Sequence, residues 1–199
     1  MTTAATQVAF GIRAHTGWAT LVAVAGPPRA PRILYRSRLE LCDGAFPRFV
    51  YHQAQEAPLA EARKLTQTAE KLSRKAAEIA IAGALSKLAA EGHCVKGAMV
   101  LVSSSKAPPA LETILASHAL IHAAEGALFR SALIAGCESS KIPVRTVPER
   151  ELWQVAVKAL RLKQPSLHHR LAELGRAAGR PWAQDQQLAA LAALIALAA

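Results

Sequence analysis

The order in which hydrophobic patterns change along this chain constrains its fold more than any single residue does. Within the first 45 residues three short β-rich runs follow one another across tight turns. Gln7 to Ile12 is apolar and is interrupted by Arg13-Ala-His-Thr-Gly17. Trp18 to Ala25 resumes as WATLVAVA, and Gly26-Pro-Pro28 is a turn signal. Arg32 to Leu41 then alternates, with Ile33, Tyr35 and Ser37 against Leu34, Arg36 and Arg38, as an antiparallel strand with one wetter face does. From there the period lengthens. After a loop, Cys42 to Tyr51, the three- and four-residue spacing of Leu65, Leu72, Ala76, Ile79, Gly83 and Leu88 predicts a helix over Leu59 to Ala90. Val95 to Val102 is a continuous apolar run, as a buried strand is. A helix opened by Pro108-Pro109 runs to about Gly136, and Ile142 to Val147 is a short strand. Pro148 starts a helix reaching about Leu162, with Glu149 and Glu151 in its first turn where the macrodipole favours acids. Gln164-Pro165 breaks it. Leu167 to Ala177 forms another, and Pro181-Trp182 leads into the last. The order β-β-β-α-β-α-β-α-α predicts an α/β protein with a mixed five-stranded sheet. Three strands are antiparallel, two more arrive in parallel by helical crossovers, and helices cover both faces.

Composition narrows the function classes. At 199 residues without repeat or low-complexity linker, one domain spanning 1–199 is expected. Mean hydropathy is +0.18. No unbroken apolar run reaches the roughly 18 residues of a membrane span, Leu188 to Ala199 coming nearest. The start, MTTAATQVAF, has neither the basic head nor the apolar core of a signal peptide. Cys42, Cys94 and Cys137 are odd in number and far apart, which fits free thiols in a reducing cytoplasm. A net charge of +10 favours a polyanion such as nucleic acid, although no block of five like charges occurs.

Four stretches carry a resemblance: GIRAHTGWATLVAV, VKGAMVLVSSS, HAAEGALFRSALIAGCESSKIPVRTVPERELWQVAVKAL and the closing WAQDQQLAALAALIALA. Together they resemble the RuvC-type branch of the ribonuclease H-like superfamily in element order and small-residue patterning. That resemblance implies a ribonuclease H-like fold and phosphodiester hydrolysis by two metal ions, which requires three or four converging carboxylates. It places an aspartate in the first strand before the turn, an acid at the end of the central strand, and one or two aspartates at the start of the last helix. Here these positions hold Arg13 beside Ala14 and His15, then Ser103, Ser104 and Ser105, then Asp185 with Leu188 one turn later. The chain has only two aspartates, Asp43 and Asp185. An arginine repels Mg²⁺. The resemblance therefore implies a degenerate site in which Arg13, His15, Thr16, Ser103, Ser104 and Lys106 offer donors to phosphate or a nucleic-acid backbone, with no cofactor. Two alternatives stay open. One is a divergent nuclease using Mg²⁺ or Mn²⁺ on Asp185, Glu125 and a further acid, Glu40 or Asp43. The other is an interaction module that forms a homodimer through its alanine-rich helices.

Other constellations are weaker. His118 and His122 stand four apart on a helix with Glu125 three further on, a spacing that shares one face and suits Zn²⁺. Ala119 removes the HExxH base, and the pair reads first as surface histidines. His168-His169 point to different faces. Ser103-Ser-Ser-Lys106 lacks the P-loop pattern, and a Ser104–His15–Asp185 triad lacks the GxSxG elbow. The basic face of the Leu59–Ala90 helix, with Lys64, Lys71, Arg74 and Lys75, suits either solvent or a phosphate backbone.

Overall fold

A computed structural model of the chain describes residues 6–42, 44, 46–103 and 108–199. The sheet runs in the order β3-β2-β1-β4-β5. Its strands are β1 (Thr6–His15), β2 (Trp18–Ala25), β3 (Arg32–Glu40), β4 (His93–Val102) and β5 (Val144–Pro148). The first three are antiparallel neighbours, and β4 and β5 join in parallel beside β1. This is the mixed sheet that the sequence order predicts. The helices are α1 (Val50–Gln55), α2 (Leu59–Ala90), α3 (Leu111–Leu115), α4 (His118–Ser139), α5 (Leu152–Leu160), α6 (Gln164–Ala178) and α7 (Gln184–Leu197).

Strand alternation separates two cores. Val8, Phe10 and Ile12, with Leu21, Ala98 and Val100, face α1 to α4. Val22, Val24, Met99, Leu101 and Val147 face α5, α6 and α7. In α7 every residue from Leu188 to Ile195 is buried, because it lies on the middle of the sheet and is flanked by the other two helices. The apolar C-terminal run thus belongs to the core and is no free dimer seam. Close approach is achieved with small residues. A methyl group on Gly11 of β1 would overlap the Ala189 carbonyl of α7. On the other face, a methyl on Gly136 of α4 would press on the Ala77 backbone of α2 at 3.1 Å.

Several expected boundaries move, each for a local reason. β1 does not stop at Ile12 but continues through Arg13 to His15, since its polar end pairs in register with Trp18, Ala19 and Thr20 of β2. Only Thr16-Gly17 turns, with Gly17 at φ +85. The expected loop from Cys42 ends in α1, whose Val50, Tyr51 and Ala54 are buried. The helix expected from Pro109 to Gly136 is two helices, because Ser117 takes an extended backbone between α3 and α4. Among the described residues α4 is the one helix long and apolar enough to cross a membrane. Half of its most apolar stretch is buried in the fold.

Two outcomes follow from this packing. Gly11→Ala must push α7 off the sheet, and ~1–3 kcal/mol of lost stability is expected, a fall in Tm of roughly 3–10 °C by calorimetry. The Cys137 thiol is buried and pushed up to about 12 by desolvation, so it stays unreactive to a thiol reagent at pH 8 until denaturant is added.

Candidate functional site at the carboxyl end of the sheet

The ends of β1 and β5, the start of β2 and the start of α7 meet at one edge of the sheet, on the α7 side. Arg13 and His15 share the face of Gly11 by alternation. β5 ends at Pro148 and runs straight into a 3₁₀ turn, Glu149–Glu151. Asp185 stands in the first turn of α7, where the macrodipole favours an anion. The backbone N–H of Ala183 donates to the Gln186 side-chain oxygen at 2.8 Å, closing that turn. The connection ahead of it is held by Arg36 of β3, which donates to the carbonyls of Ala178, Gly179, Arg180 and Pro181 at 2.6–2.8 Å.

The Arg13 guanidinium lies between two carboxylates. Its Nε donates to Glu149 Oε2 at 3.0 Å and its Nη2 to Glu149 Oε1 at 2.8 Å, a bidentate pair. Its Nη1 donates to Asp185 Oδ1, the same oxygen that His15 Nε2 meets at 3.0 Å. The Arg13 side chain is 17% exposed and that of Asp185 24%. The hydrogen-bonded Glu149 carboxylate raises the Arg13 pKa further, with Asp185 adding to it and burial opposing it, so the group is a permanent cation. His15 in turn stacks on Trp18, ring centroids 4.1 Å apart and 11° from parallel, and Arg38 lies 3.7 Å over the same indole. Arg38 Nε donates to Glu40 Oε1 at 2.5 Å.

This geometry revises the expectations for the site. Three of the five N–H donors of Arg13, one on each guanidinium nitrogen, are engaged by carboxylates, so two remain for any other acceptor. The acid set is also different. Glu149, read from sequence as a helix-dipole residue, is the second carboxylate here. Its signal was its position, an acid immediately after a strand that runs parallel to β1. Leu188, where a further aspartate was implied, is buried in the second core. Glu125 is not a partner of Asp185. It sits on α4, in the layer across the sheet, 1% exposed, and accepts from His52 Nδ1 at 2.9 Å. Glu40 is engaged at the exposed edge with Arg38. Asp43, Ser104, Ser105 and Lys106 lie outside the described residues; of the Ser104–His15–Asp185 set, His15 and Asp185 are described, and they pair. Thr16 is half-buried at the β1–β2 turn and Ser103 is exposed at the end of β4, beside a cavity of about 490 Å³ that Arg130 and Thr146 also line. Arg48, unremarked in the sequence, lays its exposed side chain along the Gly17 turn. His168 stacks on Trp153 while His169 faces Glu173, so the adjacent pair does diverge.

A two-metal centre does not fit these residues. Mg²⁺ and Mn²⁺ need oxygen ligands with uncompensated charge, and the two carboxylates that converge here already share a guanidinium.

The sheet order and the two helical layers define the ribonuclease H-like fold. Among solved structures the chain is similar to Thermus thermophilus RuvC, with a TM-score of 0.50 and 11% identity over 94% of this chain and 91% of that one. It is likewise similar to T. thermophilus RuvC in complex with Holliday junction substrate, with a TM-score of 0.52 and 12% identity over 95% and 91%. At such identity the likeness establishes the fold. No profile of a known family and no curated protein matches the chain.

If the guanidinium stands in for a metal ion, its removal leaves Glu149 unpaired and Asp185 with His15 alone. Arg13→Ala is expected to lose ~1–3 kcal/mol, discounted for the partial exposure of Glu149, and to gain Tm when millimolar Mg²⁺ is added. The same Mg²⁺ should leave the unsubstituted protein unchanged by differential scanning fluorimetry. Equal responses of the two proteins would contradict the substitution of arginine for metal.

Proposed function

We propose that this protein is a catalytically silent ribonuclease H-like protein that binds nucleic acid across the carboxyl end of its sheet. The observation that carries the reading is the Arg13 guanidinium bridging Glu149 and Asp185, since it places a fixed cation where hydrolysis by this fold requires mobile metal ions. The RuvC structure that the chain resembles was solved with a Holliday junction substrate, and a net charge of +10 supports a polyanionic partner here.

The cations proposed for binding include the basic face of α2 that the sequence offered and two arginines near the first turn. Arg38 and Arg48 are exposed beside the Trp18 stack. Lys64, Lys71 and Lys75, at spacings of seven and four, form an exposed stripe along α2. α2 begins at the same edge, because it runs opposite to the β4 strand that follows it. Thr16 and Ser103 add neutral donors for phosphate oxygens. His15 is a positioning residue that braces Trp18 against Asp185.

Fluorescence anisotropy with a labelled four-way junction, duplex DNA and duplex RNA tests the reading. Affinity should fall linearly with salt on a log–log plot, with a slope of about −0.9 per phosphate contact on B-DNA. Replacing Lys64, Lys71 and Lys75 with alanine should flatten that slope by about one unit per lysine. No strand scission should accompany binding in Mg²⁺ or Mn²⁺. Salt-insensitive binding, or cleavage lost in Asp185→Asn, would overturn it.

A further inference from the structure

A second cluster lies on the opposite layer of the molecule, away from Arg13. His52 of α1 comes against His118 and His122 of α4, and one ring nitrogen from each lies within 4.8 Å of the others. The two α4 histidines face each other through Nε2 at 3.0 Å. The His52 ring centroid is 5.3 Å from that of His118 and 4.8 Å from that of His122. Sequence spacing shows only the α4 pair. The third member arrives from a short helix 66 residues earlier in the chain than His118, brought in by the fold.

What separates this cluster from a chance surface pair is Glu125. It is 1% exposed, and its Oε1 accepts from His52 Nδ1 at 2.9 Å. Its Oε2 is buried with no partner among the described residues. A buried carboxylate that receives the Nδ1–H of a histidine fixes the tautomer and leaves Nε2 as the free lone pair, which is the arrangement that prepares an imidazole to ligate a metal. In a tetrahedral zinc site, Zn–N bonds of about 2.0–2.1 Å set nitrogens roughly 3.3 Å apart. The 3.0 Å and sub-4.8 Å separations need only side-chain rotation to reach this, chiefly of the exposed His118 and His122 rings against the half-buried His52.

We propose that His52, His118 and His122 form a Zn²⁺ site, with Glu125 orienting His52 and the fourth position open to solvent. Three imidazoles select zinc-like transition ions over Mg²⁺, whose preferred ligands are oxygens. Bound metal ties α1, only six residues long, to α4. The site is independent of the nucleic-acid reading, for it shares no residue with the Arg13 cluster.

The test uses the full chain stripped with a chelator. Titration with Zn²⁺ by calorimetry should give one ion per chain, and Co²⁺ should give the intense visible bands of a four-coordinate nitrogen site. His118→Asn together with His122→Asn, both at exposed positions that leave the fold intact, should abolish the bands. Glu125→Gln should weaken Zn²⁺ affinity by 10–100-fold. Zn²⁺ should raise the Tm of the unsubstituted protein and not that of His52→Asn. Substoichiometric binding overturns the proposal. So does binding that persists unchanged in His52→Asn and Glu125→Gln, which marks an adventitious surface pair.

Discussion

A guanidinium held between Glu149 and Asp185 links the charged ends of three neighbouring parts of the fold: the end of β1, the turn after β5 and the start of α7. Two carboxylates facing one another at a partly buried sheet edge repel, and the fold must supply a positive charge there. A metal ion supplies it reversibly and with open coordination positions. Arginine supplies it permanently, through a planar fork that gives one donor from each nitrogen to the two carboxylates. In the proposed reading the same ion pairs that balance the charge here also occupy the oxygens that hydrolysis would need, and the His15–Trp18–Arg38 stack lies beside them.

The interaction forms only because α7 lies so near β1. Gly11 carries no side chain where the helix crosses, and alanines at 189 and 193 let the two backbones meet. Asp185 then falls within reach of the next outward residues on the same strand face, Arg13 and His15. Arg36, tied to four successive carbonyls before α7, limits how far the helix start can shift. Small residues in the core and charged residues at its rim therefore serve the same placement.

Much of this architecture was legible in the sequence. The change of period from two to three-and-a-half, punctuated by Gly26-Pro-Pro28 and Gly92, located all five strands, and α2 matches its expected span from Leu59 to Ala90. Asp185 and the arginine at the first-strand position were legible too. Their pairing was not, because a sequence states that Arg13 is cationic and leaves open whether its donors face solvent or carboxylates. Glu149 was missed because an acid at a helix start satisfies the macrodipole without any partner. α1 was missed because six residues give too little periodicity to read, and with it went His52, the one histidine whose position depends wholly on tertiary packing.

In the proposed reading, arginine occupies the place that a metal ion takes in a hydrolytic site of this fold. A crystal of the unsubstituted protein soaked in Mn²⁺, with anomalous scattering recorded at the edge, tests it most directly. The account predicts no manganese peak between Glu149 and Asp185 and a guanidinium bonded to both. A peak coordinated by those two carboxylates, with Arg13 turned away, would contradict it.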